Sequence, residues 1–122
     1  MRSRILFLLF FISVVVGQPT ITIATTLAIT PEVTTFAGSG SEGSADGTGT
    51  AASFYYPYGV AVDGSGNVYV ADQTNHLVRK ITSAGVVTTL AGSGSAGSAN
   101  GTGTAASFNS PRGVAVDGSG NV

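Results

Sequence analysis

Few residues in this chain could carry out covalent chemistry. There is no cysteine, and His76 is the only histidine among 122 residues. A nucleophilic triad could be drawn from His76, Asp72 and one of many serines, but nothing fixes any of those serines in place. A single histidine with no cysteine or glutamate near it is a poor metal ligand set. Gly38-Ser39-Gly40-Ser41-Glu42-Gly43 spells G-x-G-x-x-G, as does Gly92-Ser93-Gly94-Ser95-Ala96-Gly97. A dinucleotide site also needs a helix to open there. Ser44-Ala45-Asp46-Gly47-Thr48-Gly49 follows and breaks any helix, so nucleotide binding is rejected. Asp46 offers one carboxylate, replaced by Asn100 one repeat later, where Ca²⁺ wants about 6–8 oxygens. No cofactor and no metal is expected.

Binding chemistry has better candidates. Tyr55, Tyr56 and Tyr58 pair apolar area with a hydroxyl, which suits contact surfaces. Asn109, Ser110 and Arg112 stand at the equivalent places one repeat on, around an unchanged phenylalanine (Phe54, Phe108) and proline (Pro57, Pro111). The expectation is that phenylalanine and proline fix the loop while the flanking residues vary its surface. The competing reading is that the tyrosines pad the loop against a neighbouring repeat. Asn100-Gly101-Thr102 is an N-glycosylation sequon on an expected exposed loop, equally readable as a plain Asn-Gly turn.

These residues sit on a long repeat. Sliding the chain by 54 residues lays Val33–Val68 on Val87–Val122, and 30 of the 36 pairs are identical. The differences are Phe36/Leu90, Glu42/Ala96, Asp46/Asn100, Tyr55/Asn109, Tyr56/Ser110 and Tyr58/Arg112. One unit reads as four short strands: Gly59–Asp63, Val68–Ala71, Leu77–Ile81 and Val86–Ala91. The turn formers Asp63–Asn67, Asp72–Asn75 and Thr82–Gly85 separate them. Strands this short with such tight connections pair antiparallel as a meander. Four such strands per repeat make one blade of a β-propeller. The expected fold is therefore all-β, with four-stranded antiparallel blades of an incomplete propeller. Val33–Ala37 reads as the last strand of a preceding blade and Gly113–Asp117 as the first strand of the next. Residues 18–122 alone are expected to unfold without cooperativity, since a blade needs neighbours to cover both faces.

Gly59-Val60-Ala61-Val62-Asp63, followed by Gly66-Asn67-Val68-Tyr69-Val70-Ala71-Asp72 and then Asn75-His76-Leu77-Val78-Arg79-Lys80-Ile81, resembles an NHL repeat. That family takes its name from the tripeptide seen here as Asn75-His76-Leu77. The resemblance implies a β-propeller that serves mostly as a binding platform for proteins, nucleic acid or carbohydrate. A minority of relatives are enzymes, such as amidating lyases with a metal in the central channel. The 54-residue period exceeds the forty-odd residues of compact blades, and the excess lies in the Gly/Ser-rich segment Gly92–Pro111.

Blade geometry places Asp72–His76 and the long segments Gly38–Tyr58 and Gly92–Arg112 at one end, with the turns Asp63–Asn67 and Thr82–Gly85 at the other. The first end is the expected binding face, because long loops on a rigid scaffold commonly carry function. Asp72, Asn75 and His76 are expected to be structural: the first two cap the turn with side-chain bonds and His76 braces it. Asp63 and Asp117 are the only acids at the ends of the first strands, and their identity in successive copies points to structural repetition.

Outside the repeat, Met1-Arg2-Ser3-Arg4 is basic, the 12 residues Ile5–Val16 are apolar apart from Ser13, and Gly17 is small. That is the pattern of a secretory signal peptide over 1–17. A transmembrane helix needs about 20 apolar residues. Residues 18–32 read as a linker and 33–122 as the repeats. Without 1–17, three basic residues (Arg79, Lys80, Arg112) face six acids, a balance of −3, which gives nucleic-acid binding no electrostatic support. With no cysteine, no disulfide can staple the exported chain. The favoured expectation is a secreted or cell-surface interaction scaffold for a protein or carbohydrate ligand, with no stable membrane anchor after cleavage. The rival is a piece of an extracellular propeller enzyme of lyase or lactonase type.

Overall fold

In the computed structural model, residues 31–122 are described. The expected signal peptide, and all but the last two residues of the expected linker, lie outside them. The strands are β1 (Gly47–Thr48), β2 (Pro57–Val62), β3 (Val68–Asp72), β4 (Leu77–Ile81) and β5 (Val86–Ala91). They form one antiparallel sheet in the order β1-β5-β4-β3-β2. β2 to β5 are the expected four-stranded meander. Each is a short run of Val, Ile, Leu, Tyr or Thr, bounded by glycine, asparagine and aspartate turns.

Three expectations about the edges are corrected. Gly38–Tyr58 is not confined to one end of the blade. It runs back along the outer edge, where β1 pairs with β5 (Gly47 with Val87, Thr48 with Val86), so the sheet has five strands. The Gly49 N–H donates to the Gly85 carbonyl at 2.9 Å, at the end opposite to the expected one. This excursion covers backbone groups that an edge strand would leave open. Val33–Ala37 and Gly113–Asp117 are not strands. A β-branched run becomes a strand only when another strand lies in register beside it, and among the described residues neither has such a partner. Gly113 lies beside β2, close enough that a Cβ on Gly59 would collide with the Arg112 carbonyl.

Register decides which side chains share a face. Val68 opposes Ile81, Val70 opposes Arg79, and Asp72 opposes Leu77. Val70, Ile81 and Val87 form the core with Ala52 of the connection, and Ala37, Phe54 and Val68 pack against it. The Gly/Ser-rich connection thus adds Ala52 and Phe54 to a core built mainly by the strands, laid over one face of the meander. Tyr69 and Ala71 alternate onto the other face and are also buried. β2 is different: Val60 and Val62, level with Val70 and Val68, are 65% and 60% exposed. Burying a valine fully gains about 1.5–3 kcal/mol, so this flank holds unused packing energy.

Candidate functional site

The site is built around one turn. The β3–β4 turn runs from Asp72 to Leu77, and its His76 N–H donates to the Gln73 carbonyl at 3.1 Å. His76 has a left-handed backbone (φ 56°), uncommon for a residue with a side chain. Asp72 and Asn75 reach farther than a turn cap. Asp72 Oδ1 accepts the Tyr55 N–H at 2.8 Å, and Oδ2 accepts from Asn75 Nδ2 at 2.8 Å and Arg79 at 2.9 Å. Asn75 Nδ2 also donates to the Gly43 carbonyl at 2.8 Å. The Gln73 and Thr74 amides donate to the Tyr56 and Tyr55 carbonyls. On the other side, His76 Nδ1 accepts the Ser110 N–H at 3.0 Å. One turn therefore grips the connection before its blade and the connection after it.

Beneath the turn lies a group that sequence reasoning missed. Arg79 is wholly buried. Its guanidinium donates to Asp72, to Asp46 Oδ1 at 2.7 Å, and to the carbonyls of Ser53 (3.1 Å) and Ala45 (3.0 Å). It lies over the Phe54 ring, 5.2 Å from the centroid, and only its Nε lacks a partner among the described residues. Two carboxylates, two carbonyls and a ring make the burial of this charge tolerable. Asp46, weighed above as a calcium ligand, is occupied here: it also takes the Thr89 N–H and hydroxyl at 3.3 Å. A signal existed, since in Leu77-Val78-Arg79-Lys80-Ile81 strand alternation puts Arg79 on the face of Leu77 and Ile81.

The variable residues surface above this anchor. Tyr55 and Tyr56 stack with centroids 5.4 Å apart, while Tyr56 and Tyr58 are 67% and 68% exposed. The Arg112 guanidinium lies over the Tyr58 ring at 5.7 Å. Position 58 of one copy thus meets its own equivalent, position 112, of the next. Asn109 is exposed, and its Oδ1 is 3.4 Å from the Ser110 hydroxyl. Asn100 is exposed on the second connection, outside this cluster.

At the opposite end, Asp63 after β2 and its equivalent Asp117 are both spent on turns. Asp63 accepts from the Ser65 and Asn67 amides, Asn67 Nδ2 and the Tyr69 hydroxyl. The Asn67 side-chain bond is the largest of the effects that hold its carboxyl down at about 2. Asp117 repeats the arrangement with Ser119 and Asn121, and its carboxyl is lowered in the same way, chiefly by the Asn121 side chain. Among the described residues no group of three or more His, Cys, Asp or Glu is placed to hold a metal.

Comparison with known proteins agrees with this architecture. The family profile described as Teneurin NHL domain matches residues 36–102, more than half of the chain. A solved Bacteroides thetaiotaomicron structural genomics protein of unknown function is 34% identical with a TM-score of 0.61, covering 64% of this chain and 20% of its own. An auxiliary nutrient binding protein from the same organism is 28% identical with a TM-score of 0.57, covering 66% of this chain and 22% of its own. The chain thus spans about a fifth of the length of these structures. No curated protein matches it. A blade of four antiparallel strands carrying the Asn-His-Leu turn, together with this profile match, establishes that the chain belongs to the teneurin NHL domain family.

Proposed function

We propose that this chain is part of a secreted or cell-surface NHL propeller that binds a protein or carbohydrate ligand through the end of the blade bearing Tyr55, Tyr56, Tyr58, Asn109 and Arg112. The observation that carries the reading is the exposure of Tyr56 and Tyr58 beside Arg112, above a rigidly bonded turn. Solvent-facing aromatic rings held on a fixed backbone lose little freedom on contact, which favours binding. A similar solved structure is described as a nutrient binding protein, which supports a binding role in general terms. Export rests on the residue pattern of 1–17.

The test replaces all three tyrosines with serine in the full-length protein and screens both versions on arrays of oligosaccharides and extracellular protein domains. The reading expects hits that vanish in the variant while its thermal transition is retained. Lost folding with no ligand-specific effect would favour padding instead. Export is tested by following the protein with an antibody; recovery only from the membrane pellet, and none from the medium, would contradict signal cleavage. Occupancy of Asn100 is tested by a glycosidase-sensitive mass difference in protein from a glycosylating host.

A further inference from the structure

Five asparagines lie in the chain, and one of them stands apart. Asn67, Asn75 and Asn121 donate their side-chain amides to the carboxylates of Asp63, Asp72 and Asp117. Asn109 precedes Ser110, whose N–H is held by His76 Nδ1. Asn100 is exposed, and neither its side chain nor the Gly101 N–H has a hydrogen-bond partner among the described residues. Gly101 is exposed as well, and without a Cβ it leaves its nitrogen open to approach.

The equivalent step one repeat earlier, Asp46-Gly47, is held. Asp46 is bonded to Arg79 at 2.7 Å, and Gly47 pairs with Val87 in β1. The two connections otherwise fold alike: Ser53 N–H reaches the Ala45 carbonyl, and Ser107 N–H the Ala99 carbonyl. A carboxylate is therefore a side chain that this loop already carries at this place.

We propose that Asn100 is a self-modification site, which turns into aspartate or isoaspartate by loss of ammonia. The Gly101 nitrogen attacks Asn100 Cγ, and a new N–Cγ bond forms. The Cγ–Nδ2 bond breaks, and Nδ2 leaves as ammonia with the proton given up by the Gly101 amide. The product is a succinimide. Water then opens the ring: attack at Cγ leaves aspartate, and attack at the main-chain carbonyl carbon of residue 100 leaves isoaspartate. One water enters and one ammonia leaves, with no oxidant or reductant. Each event adds a negative charge at neutral pH. The aspartate product gives the second connection the group with which the first holds Arg79. The claim uses neither the tyrosines nor Arg112, so it is independent of the ligand reading.

The test uses the whole Asp46→Asn protein, made in a host that does not glycosylate, so that Nδ2 of Asn100 is free to leave. It then holds two Asn-Gly steps in the same local sequence, one in each connection. The protein is aged in mildly alkaline buffer, and peptide mass mapping with isoaspartate detection follows each site. Asn100 should convert to both products. Position 46 should convert about tenfold more slowly, the cost of opening one good hydrogen bond of the β1 pairing. In denaturant the two rates should become equal, and Asn67, Asn75 and Asn121 should stay intact in the folded protein. The unsubstituted protein, aged in the same way, should convert at Asn100 and gain no isoaspartate at Asp46. No conversion at Asn100 in either protein, equal rates at 46 and 100 in the folded variant, or isoaspartate at Asp46 as fast as at Asn100 would each overturn the proposal.

Discussion

The connections 38–58 and 92–112 are nearly the same sequence, and they fold locally into the same shape. Gly40 and Gly94 share φ 82°, and Gly49 and Gly103 share φ 57°. Ser53 N–H reaches Ala45 O at 3.0 Å, and Ser107 N–H reaches Ala99 O at 2.9 Å. Ser53 and Ser107 hydroxyls accept from Ala45 and Ala99 in the same way. Only the first connection lies over strands of a blade that it can close. There Gly47–Thr48 becomes β1, Asp46 meets Arg79, and Tyr55 meets Asp72. Gly101–Thr102 forms no strand, and Asn100 has no charged partner among the described residues. Loop shape is thus encoded within the repeat, while strand identity and ion pairing depend on what lies alongside.

The largest expected effect comes from Arg79→Met. It leaves the wholly buried Asp72 carboxylate without its cation, at a cost of about 3–5 kcal/mol. Native-state amide exchange should quicken across 43–55 and leave 97–107 unchanged; equal acceleration in both would erase the distinction between the copies. Asp46→Asn makes the first copy like the second. The Asp46 side chain is 51% exposed, so the loss should be smaller, about 1 kcal/mol, seen first as faster exchange of the Thr89 amide.

Acid should separate the ends of the blade. Asp63 has a folded pKa of about 2 against an ordinary 3.8, so its turn is held fully above pH 3.8 and released as pH falls through about 2. Asp117 shifts in the same direction. Over this window the Ser65 and Asn67 amides should lose protection, and an Asp63→Asn variant should lose the pH dependence. The smallest effect belongs to Ser110→Gly. Relief of the left-handed backbone, about 1 kcal/mol, nearly cancels the added chain entropy of glycine, about 0.5–1 kcal/mol. The His76–Ser110 bond should survive, read as unchanged protection at residue 110.

The meander was legible in the sequence because β3, β4 and β5 are β-branched runs between turn formers, and each lies within a residue of its expected bounds. β1 was not legible: Gly47–Thr48 lies among Gly, Ser, Thr and Ala with no alternation, and its strand character comes entirely from β5. Val33–Ala37 and Gly113–Asp117 mislead in the opposite sense, having strand residues without a strand beside them. Tyr55, Tyr56 and Tyr58 stood out by their divergence between copies, but their approach to Arg112 depends on adjacent copies bringing equivalent positions together. Arg79 stayed hidden because a charge in a strand reads as solvent-facing until its partners, 33 and 7 residues away, are located.

Native-state amide exchange at equivalent positions separates what the connection folds by itself from what the blade adds to it. Gly49 and Tyr55, bonded to Gly85 and Asp72, should exchange far more slowly than their counterparts Gly103 and Asn109. Ser53 and Ser107 should be protected alike. At Tyr56 and Ser110 the order should reverse, with Ser110 the slower. Equal protection of Gly49 with Gly103 and of Tyr55 with Asn109 would contradict that separation, for loop shape alone would then account for the connection and the blade would contribute nothing.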